Sequence, residues 1–258
     1  MKKSSLDKLT NKLVNAFLKN KIISPLPKKY TKKLNDAQKV RKICESKIID
    51  PIIGFKAAGT SIAVMKKLKE KEPFYASVFK RNFIKSGKKV KINKYTLGIE
   101  LEVGYLIKKK FFFSKESITK NKVKNFISHM APCIEIVGYR QRKKGITSFG
   151  DLCSDFGANV KFLIGRKKKY KKINIGNLKT NISNKKINQT VSGNTNTVYI
   201  NPLNSLRFVL NKVKKDKINL SKDFWVFTGS SVGVVPIKSK GLYTGKVDKI
   251  GSVKAIIR

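Results

Sequence analysis

A strand-like run near the middle of the chain places two carboxylates among core-forming side chains. Residues 97–106 read Leu-Gly-Ile-Glu-Leu-Glu-Val-Gly-Tyr-Leu. Successive side chains of a β-strand point to opposite faces, so Glu100 and Glu102 share one face and the apolar residues between them share the other. Two neighbouring carboxylates on such a strand are costly unless a cation offsets their charge. A divalent metal ion is the natural candidate.

A third carboxylate, Glu135, lies inside a second apolar run between Ile134 and Ile136. Three carboxylates from two buried strands would form an all-oxygen site, which prefers Mg²⁺ or Mn²⁺ over zinc or copper. The alternative is a pair of glutamates on a solvated strand face, which is a common arrangement. The spacing of the three residues leaves both interpretations open.

The charge balance is strongly basic and points to more than one class of partner. The 258 residues include 59 basic and 15 acidic ones, for a net charge of +44. Such a balance is typical of proteins that bind nucleic acid through phosphate neutralisation. However, 52 of the basic residues are lysines and only 7 are arginines, and arginine is the residue suited to bidentate phosphate recognition. We therefore interpret the charge as the result of a biased genome composition, which places lysine at tolerant, solvent-exposed positions. We expect no specific nucleic-acid partner.

Cysteine, histidine and hydropathy exclude several other classes. Cys44, Cys133 and Cys153 are odd in number and widely spaced, which argues against a disulfide framework or a zinc site. The single histidine, His129, excludes histidine-rich metal sites and disfavours a Ser-His-Asp hydrolase. No apolar run reaches the roughly 18 to 20 residues of a membrane span. We expect a soluble, cytoplasmic protein with no membrane partner.

The periodicity predicts a helical N-terminal portion, residues 1–50, followed by a β-rich portion, residues 51–258, in one domain. Helices are predicted at about 5–20 and 35–46, where apolar residues recur at helical spacing. Further helices are predicted over 61–68, over 118–130, and from Pro202 behind an Asn201 N-cap. The predicted strands are at about 96–107, 133–137, 160–164, 224–227 and 253–257, with a polar hairpin between 173 and 200.

Six segments occur in an order that matches a known family. They are Gly54-Phe-Lys-Ala-Ala-Gly-Thr-Ser61, Gly98-Ile-Glu-Leu-Glu-Val103, Ile134-Glu-Ile-Val-Gly-Tyr-Arg140, Asn201-Pro-Leu-Asn-Ser-Leu206, Phe227-Thr-Gly229 and Ile250-Gly-Ser-Val253. With these segments the chain resembles the 2-keto-4-pentenoate hydratase and 2-oxohept-3-ene-1,7-dioate hydratase group of the fumarylacetoacetate hydrolase superfamily. A close relative of this group is 4-oxalocrotonate decarboxylase.

The resemblance implies an α+β fold, a mixed β-sandwich or roll of the fumarylacetoacetate hydrolase C-terminal-domain type with an N-terminal helical portion. It implies a homo-oligomer and a Mg²⁺ or Mn²⁺ ion held by Glu100, Glu102 and Glu135. It also implies a catalytic role for Lys56 in proton transfer or in holding the substrate carboxylate, with a pKa expected to be lowered by burial beside a metal.

The activity implied is that of a metal-dependent hydratase in aromatic-compound catabolism, a carbon-oxygen lyase. It would add water to a 2-hydroxy-2,4-dienoate to give a 4-hydroxy-2-oxo acid, with Arg140, Thr228 and Gly229 binding the substrate. The alternative for Arg140 is a surface or ion-pair arginine. The alternative for Thr228 and Gly229 is a simple turn after the preceding strand. The alternative activities are a 4-oxalocrotonate-type decarboxylase and a catalytically weakened homologue kept as a structural or partner-binding subunit.

Two departures from the family pattern motivate the last alternative. Where relatives carry an aspartate in a Pro-Asp-Phe-Gly segment, this chain has Phe74 after Pro73. Where relatives read Ile-Val-Asp-Ser-Arg, it has Gly138. Both changes remove a polar group from the predicted surroundings of the metal, which implies weakened activity or an altered substrate.

Overall fold

Two β-sheets and five α-helices make up the described part of the chain in this computed structural model, residues 3–115, 117–141, 146, 148–171 and 173–258. The helices are α1 Lys3–Lys19, α2 Leu34–Ser46, α3 Ile62–Lys67, α4 Phe149–Ser154 and α5 Pro202–Lys215. The strands are β1 Ile52–Ala58, β2 Phe74–Phe79, β3 Phe83–Lys85, β4 Lys89–Val90, β5 Thr96–Ile107, β6 Ile127–Gly138, β7 Asn159–Ile164, β8 Lys168–Lys169, β9 Lys179–Asn184, β10 Gln189–Asn194, β11 Phe224–Ser230, β12 Gly241–Val247 and β13 Gly251–Ile257.

The larger sheet is mixed and has eight strands in the order β2-β1-β11-β5-β6-β7-β3, with β8 paired to β6. β1 runs parallel to β11 and β3 runs parallel to β7, whereas the other pairs are antiparallel. The two longest strands, β5 and β6, have twelve residues each and pair along almost their whole length. They form the centre of the sheet and carry the three glutamates.

The smaller sheet, in the order β10-β9-β12-β13-β4, covers one face of the β5–β6 pair. A Cβ placed at Gly245 of β12 would lie 2.6 Å from Leu101 Cδ1 and 3.4 Å from Ile134 Cγ1, so the backbone of β12 closely approaches these side chains. Leu101 and Ile134 are fully buried and belong to the main core. The alternation predicted for residues 99–103 is confirmed, because the apolar side chains form the core between the two sheets.

The helices cover the remaining surfaces of the sheets. α1 and α2 form a second apolar cluster, in which Leu13, Phe17 and Val40 pack with Phe79 of β2 and with Phe156. The core face of α5 consists of apolar side chains that join the main core: Leu203, Leu206, Val209, Leu210 and Val213. The predicted cap of α5 is confirmed, since the Asn201 side chain accepts a hydrogen bond from the backbone N–H of Leu203 and Pro202 opens the helix.

The helix predicted over 118–130 is wrong. Residues 122–126 form a short 3₁₀ segment, and β6 begins at Ile127. The reason lies in tertiary pairing, because Ile127 pairs with Ile107 and His129 with Leu106 at the end of β5. Ladder hydrogen bonds with a long buried strand outweigh a local helical pattern. The other predicted helices and strands are found, and the α+β class with a mixed sheet architecture is confirmed.

No helix in the described ranges combines the length and the hydropathy needed to cross a membrane.

Candidate metal and substrate site

The pairing of β5 with β6 brings the three predicted metal ligands together. Glu100 stands directly opposite Glu135 in the ladder, and Glu102, two residues further along β5, is on the same face. One carboxylate oxygen from each of the three lies within 4.8 Å of the others. Like charges directly opposite each other destabilise a sheet, so this arrangement requires a compensating cation.

The environment of these carboxylates fits a divalent cation. Glu102 and Glu135 are fully buried, and Glu102 Oε1 and Glu135 Oε2 have no hydrogen-bond partner among the described residues. A buried carboxylate oxygen without a partner carries the full cost of its lost hydration. Three carboxylates that converge, with two orphaned oxygens, form the hard oxygen donor set that Mg²⁺ or Mn²⁺ prefers.

The pKa values of the three glutamates reflect their burial and their proximity to one another. Burial is the largest cause that raises the pKa of Glu102 to about 7; the charge of Lys56 partly offsets burial, and the charge of Glu100 adds to it. Burial also raises the pKa of Glu100 and, more strongly, that of Glu135. One nearby ammonium group therefore does not neutralise three carboxylates, and the site has room for additional positive charge.

Lys56 of β1 supplies that single ammonium group. Its side chain is almost completely buried, and Nζ donates to Glu135 Oε1 at 2.5 Å and to the Gly157 carbonyl at 3.1 Å. Burial lowers the pKa of Lys56, but the negative charges of Glu135, Glu100 and Glu102 outweigh burial and raise it. The lowered pKa that the resemblance implies for Lys56 refers to an amine beside a bound metal ion, and it stays a prediction.

Gly229 and Thr228, at the end of β11, meet the site in different ways. The Gly229 backbone N–H donates to Glu102 Oε2 at 2.9 Å, and a Cβ at this position would lie 2.1 Å from Thr60 Oγ1. Thr228 is fully buried, and its hydroxyl donates to the carbonyl of Val103 at 3.0 Å. Gly229 thus orients a metal-ligand candidate, whereas the Thr228 side chain is used within the sheet.

Arg140 is placed in a buried ion pair and is not among the described residues that line the site cavity. Its Nη1 donates to Asp155 Oδ1 at 2.9 Å, its Nη2 donates to the carbonyl of Asn159 at 2.7 Å, and its backbone N–H donates to Asp155 Oδ2. The guanidinium carbon also lies 4.9 Å from the ring centre of Phe17. The contacts are those of the ion-pair alternative considered for this residue.

A cavity of about 250 Å³ opens beside these residues. Lys56, Glu100 and Gly229 line it, together with the loop of residues 59–61 that precedes α3. The remaining lining is largely apolar and includes Val137, Phe149 and Leu152. A small molecule in this cavity would meet a carboxylate and an ammonium group at one end and hydrocarbon along its walls.

The two departures from the family pattern are accommodated by packing. Phe74 is fully buried and packs edge-on against Phe149, with ring centres 5.6 Å apart. A Cβ at Gly138 would lie 2.7 Å from a ring carbon of Tyr95 and 2.8 Å from Val160 Cγ2. In this chain, neighbouring side chains fill the space that an aspartate at position 138 would occupy.

The turn of residues 155–158, which contributes the Gly157 carbonyl to Lys56, is not predicted from the sequence. Phe156, Gly157 and Ala158 have φ values of 53°, 68° and 60°. Two of these are non-glycine residues in the left-handed region, each at a cost of about 1–3 kcal/mol. Only the glycine gives a sequence signal for such a backbone, so the turn could not be recognised from residue types.

Comparison with solved structures places this site in a known fold. The 4-oxalocrotonate decarboxylase from Pseudomonas putida G7, complexed with calcium and acetate, matches with a TM-score of 0.86 and 19% identity over 100% of this chain and 99% of that chain. The complex of that enzyme with magnesium and adipate gives a TM-score of 0.85 at the same identity and coverage. Fumarylpyruvate hydrolase from Pseudomonas aeruginosa, in complex with Mn²⁺ and pyruvate, gives a TM-score of 0.59 and 11% identity over 82% of this chain and 91% of that chain.

Sequence comparison adds nothing to this result, since no family profile and no curated protein matches the chain. The solved structures nevertheless cover the chain from its N-terminal helices to its last strand. The chain therefore has the fold of these solved structures, which is the α+β fold that its resemblance to the fumarylacetoacetate hydrolase superfamily implied.

Proposed function

We propose that the chain is a divalent-metal-dependent enzyme in which Glu100, Glu102 and Glu135 hold one Mg²⁺ or Mn²⁺ ion. The observation that carries this proposal is the pair of buried, unpartnered oxygens, Glu102 Oε1 and Glu135 Oε2, within a cluster of three carboxylates. The solved structures of similar fold with calcium, magnesium and Mn²⁺ support it.

The proposed reaction is hydration of a 2-hydroxy-2,4-dienoate to a 4-hydroxy-2-oxo acid, in aromatic-compound catabolism. A divalent ion held by Glu100, Glu102 and Glu135 would supply Lewis-acid stabilisation of negative charge on the bound 2-oxo acid. In chemical terms, a proton moves from the 2-hydroxyl to C5, after which water adds hydroxyl at C4 and hydrogen at C3.

Lys56 is the residue of this chain proposed to move protons or to hold the substrate carboxylate. It lines the cavity beside Glu100, and Nζ is fixed by Glu135 and by the Gly157 carbonyl. A cation bound by the same carboxylates would compete with Lys56 for their negative charge, which would free the ammonium group to meet an anionic substrate. Gly229 is proposed to keep Glu102 oriented through its backbone N–H.

The proposed ligand is a small 2-oxo or 2-hydroxydienoic acid, in keeping with a cavity of about 250 Å³. Assembly as a homo-oligomer is proposed on the family resemblance. The second candidate activity is decarboxylation of a 2-oxo-enedioate. It is favoured by the similarity in fold to 4-oxalocrotonate decarboxylase over 99% of that chain. Both reactions use the chemistry of a metal-bound 2-oxo acid.

Turnover assays separate these activities. Purified protein with Mg²⁺ and 2-hydroxypenta-2,4-dienoate is expected to form 4-hydroxy-2-oxopentanoate, and Glu100→Gln is expected to abolish the reaction. Asp248→Asn changes an exposed acid in the turn between β12 and β13 and is the matched control. Release of carbon dioxide from 4-oxalocrotonate without hydration of the dienoate would assign the chain to the decarboxylases. Absence of turnover with either substrate would contradict an active enzyme.

A further inference from the structure

Strand β10 forms an open edge of the smaller sheet. It pairs with β9 on one side and with no described strand on the other. The Asn194 backbone N–H points away from β9, because it donates to the carbonyl of Ser231 at 3.2 Å. Alternate residues of an antiparallel strand direct their backbone groups the same way, so the exposed residues Thr190 and Ser192 also direct theirs outward. The edge therefore offers backbone donors and acceptors to a further strand.

The terminal strands β2, β3 and β4 are protected in ways that β10 is not. All six residues of β2 are buried. β3 and β4 have three and two residues, and each contains a lysine, Lys85 or Lys89. Burial, short length and edge lysines are common means of preventing a sheet edge from pairing with another chain. β10 has six residues and contains no lysine, proline or acidic residue, so it is the edge best suited to pairing.

The sequence around β10 is free of charge over an unusual length. Residues 187–206 contain no lysine, arginine, aspartate or glutamate, although 29% of the chain is charged and about six such residues would be expected in this length. Residues 224–237 are also uncharged, and they contact the first run where Gln189 Nε2 donates to the carbonyl of Pro236 at 3.4 Å. Of the eight large apolar side chains exposed in the described part of the chain, three lie in these two runs: Ile187, Ile200 and Val234. β10 therefore belongs to a neutral, partly apolar region of a strongly basic chain.

The net charge of the chain favours a second copy of itself as the partner of β10. Each copy carries a charge of +44, and like charges in contact repel over roughly 8 Å at physiological ionic strength. Two copies can therefore approach most closely where both surfaces lack charged side chains, as they do at β10. An acidic partner would instead gain most at a lysine-rich groove, such as the one lined by Lys168, Lys179, Lys246 and Lys249.

We propose that β10 pairs antiparallel with β10 of a second copy about a two-fold axis, so that the two smaller sheets become continuous. The axis passes at Val191, because the outward backbone groups of Thr190 then meet those of Ser192 in the other copy. A register centred on Ser192 would need the Asn194 N–H, which is already bonded to Ser231. The family resemblance implies assembly without identifying a surface, and this pairing does not depend on the proposed reaction.

A cysteine at the axis tests this register. The two Val191 residues would form a non-hydrogen-bonded pair with Cα atoms about 4.5 Å apart, which is within the span of a disulfide. Because the three native cysteines are buried, Val191→Cys is expected to give a disulfide-linked dimer in non-reducing electrophoresis after mild oxidation. Leu242→Cys, at an exposed site in β12, is the control and is expected to give none. No linked dimer with Val191→Cys, or equal linkage in both variants, would overturn the proposal.

Sedimentation equilibrium tests the same edge without a cross-link. The double variant Thr190→Lys/Ser192→Lys places lysines directly opposite each other across the axis, so its mass is expected to be half that of wild type. The matched control Thr244→Lys/Ser252→Lys adds the same charges to the interior strands β12 and β13 of the same sheet and is expected to keep the wild-type mass. Circular dichroism checks that both variants are folded. A monomeric wild type, a wild-type mass for the β10 variant, or dissociation of the control would overturn the proposal.

Discussion

Arg140 and Asp155 form a fully buried ion pair immediately before the turn that holds Lys56. Asp155 accepts from both the guanidinium and the backbone N–H of Arg140, and two residues later Gly157 offers its carbonyl to Lys56 Nζ. The ion pair therefore anchors a strained turn whose carbonyl positions the Lys56 ammonium group beside the glutamates.

Removal of Arg140 should destabilise the fold. Arg140→Met leaves Asp155 buried without its cation, and we expect the free energy of unfolding to fall by about 3–5 kcal/mol. Urea denaturation measures the change. Arg207→Met, on the exposed face of α5, is the control and should stay within about 0.5 kcal/mol of wild type. Equal unfolding midpoints for the two variants would contradict this role of Arg140.

Replacement of Lys56 should make the protein more dependent on a divalent ion. Lys56→Met leaves three carboxylates without their ammonium group, so the metal-free protein should unfold at a lower temperature. Added Mg²⁺ should then raise the melting temperature more than in wild type, because no ammonium competes for Glu135. Thermal unfolding with and without Mg²⁺ in large excess over the protein provides the comparison. The same Mg²⁺ shift in both proteins would argue against competition.

Gly138 should not tolerate the aspartate that relatives carry. Even a Cβ would press on Tyr95 and Val160, so Gly138→Ala should lower the free energy of unfolding by about 1–3 kcal/mol. Gly138→Asp should cost more and should not increase turnover. Denaturation and the hydratase assay check the two statements. A Gly138→Asp variant with wild-type stability and higher activity would mean that the position is a lost catalytic site.

The three cysteines should be unreactive in the folded protein. All three thiols are buried, and burial is the largest cause that raises the pKa of Cys44 and Cys153 to about 12 and that raises the pKa of Cys133 well above its ordinary value. Since the thiolate is the reactive form and a raised pKa leaves little of it, labelling by a disulfide reagent at pH 8 should be negligible. Three thiols should react in 8 M urea, about the upper limit of common use. Rapid labelling of the folded protein would contradict the packing around α2, α4 and β6.

Much of the fold can be predicted from local sequence patterns. The elements that cannot be predicted in this way are stabilised by tertiary contacts. The period of two around Glu100 and Glu102, the helical spacing in α1 and α2, and the Asn201 cap are local signals, and the structure bears each of them out. The local pattern predicts a helix over 118–130, but residues from Ile127 onward belong to β6, because their stability comes from pairing with the separate strand β5. The same holds for the turn at Gly157, whose conformation depends on tertiary contacts.

In the candidate site, too, some features follow from the local sequence and others depend on tertiary contacts. The register of β5 and β6 brings Glu100 and Glu135 opposite each other, as two acidic positions in apolar strands suggested. The raised pKa of Lys56 depends on how many carboxylates surround one buried amine, and this number depends on tertiary structure. The placement of Arg140 likewise depends on Asp155, a residue whose type alone gives no indication of a partner.

Titration calorimetry with Mn²⁺ tests the central claim, a metal site at Glu100, Glu102 and Glu135, most directly. We expect one ion per chain for wild type and for Asp248→Asn, and loss of binding in Glu102→Gln and Glu135→Gln. A cooperative thermal unfolding transition in each glutamine variant would show that the loss of binding is not caused by misfolding. No binding to wild type, or equal affinity in wild type and both glutamine variants, would contradict the account.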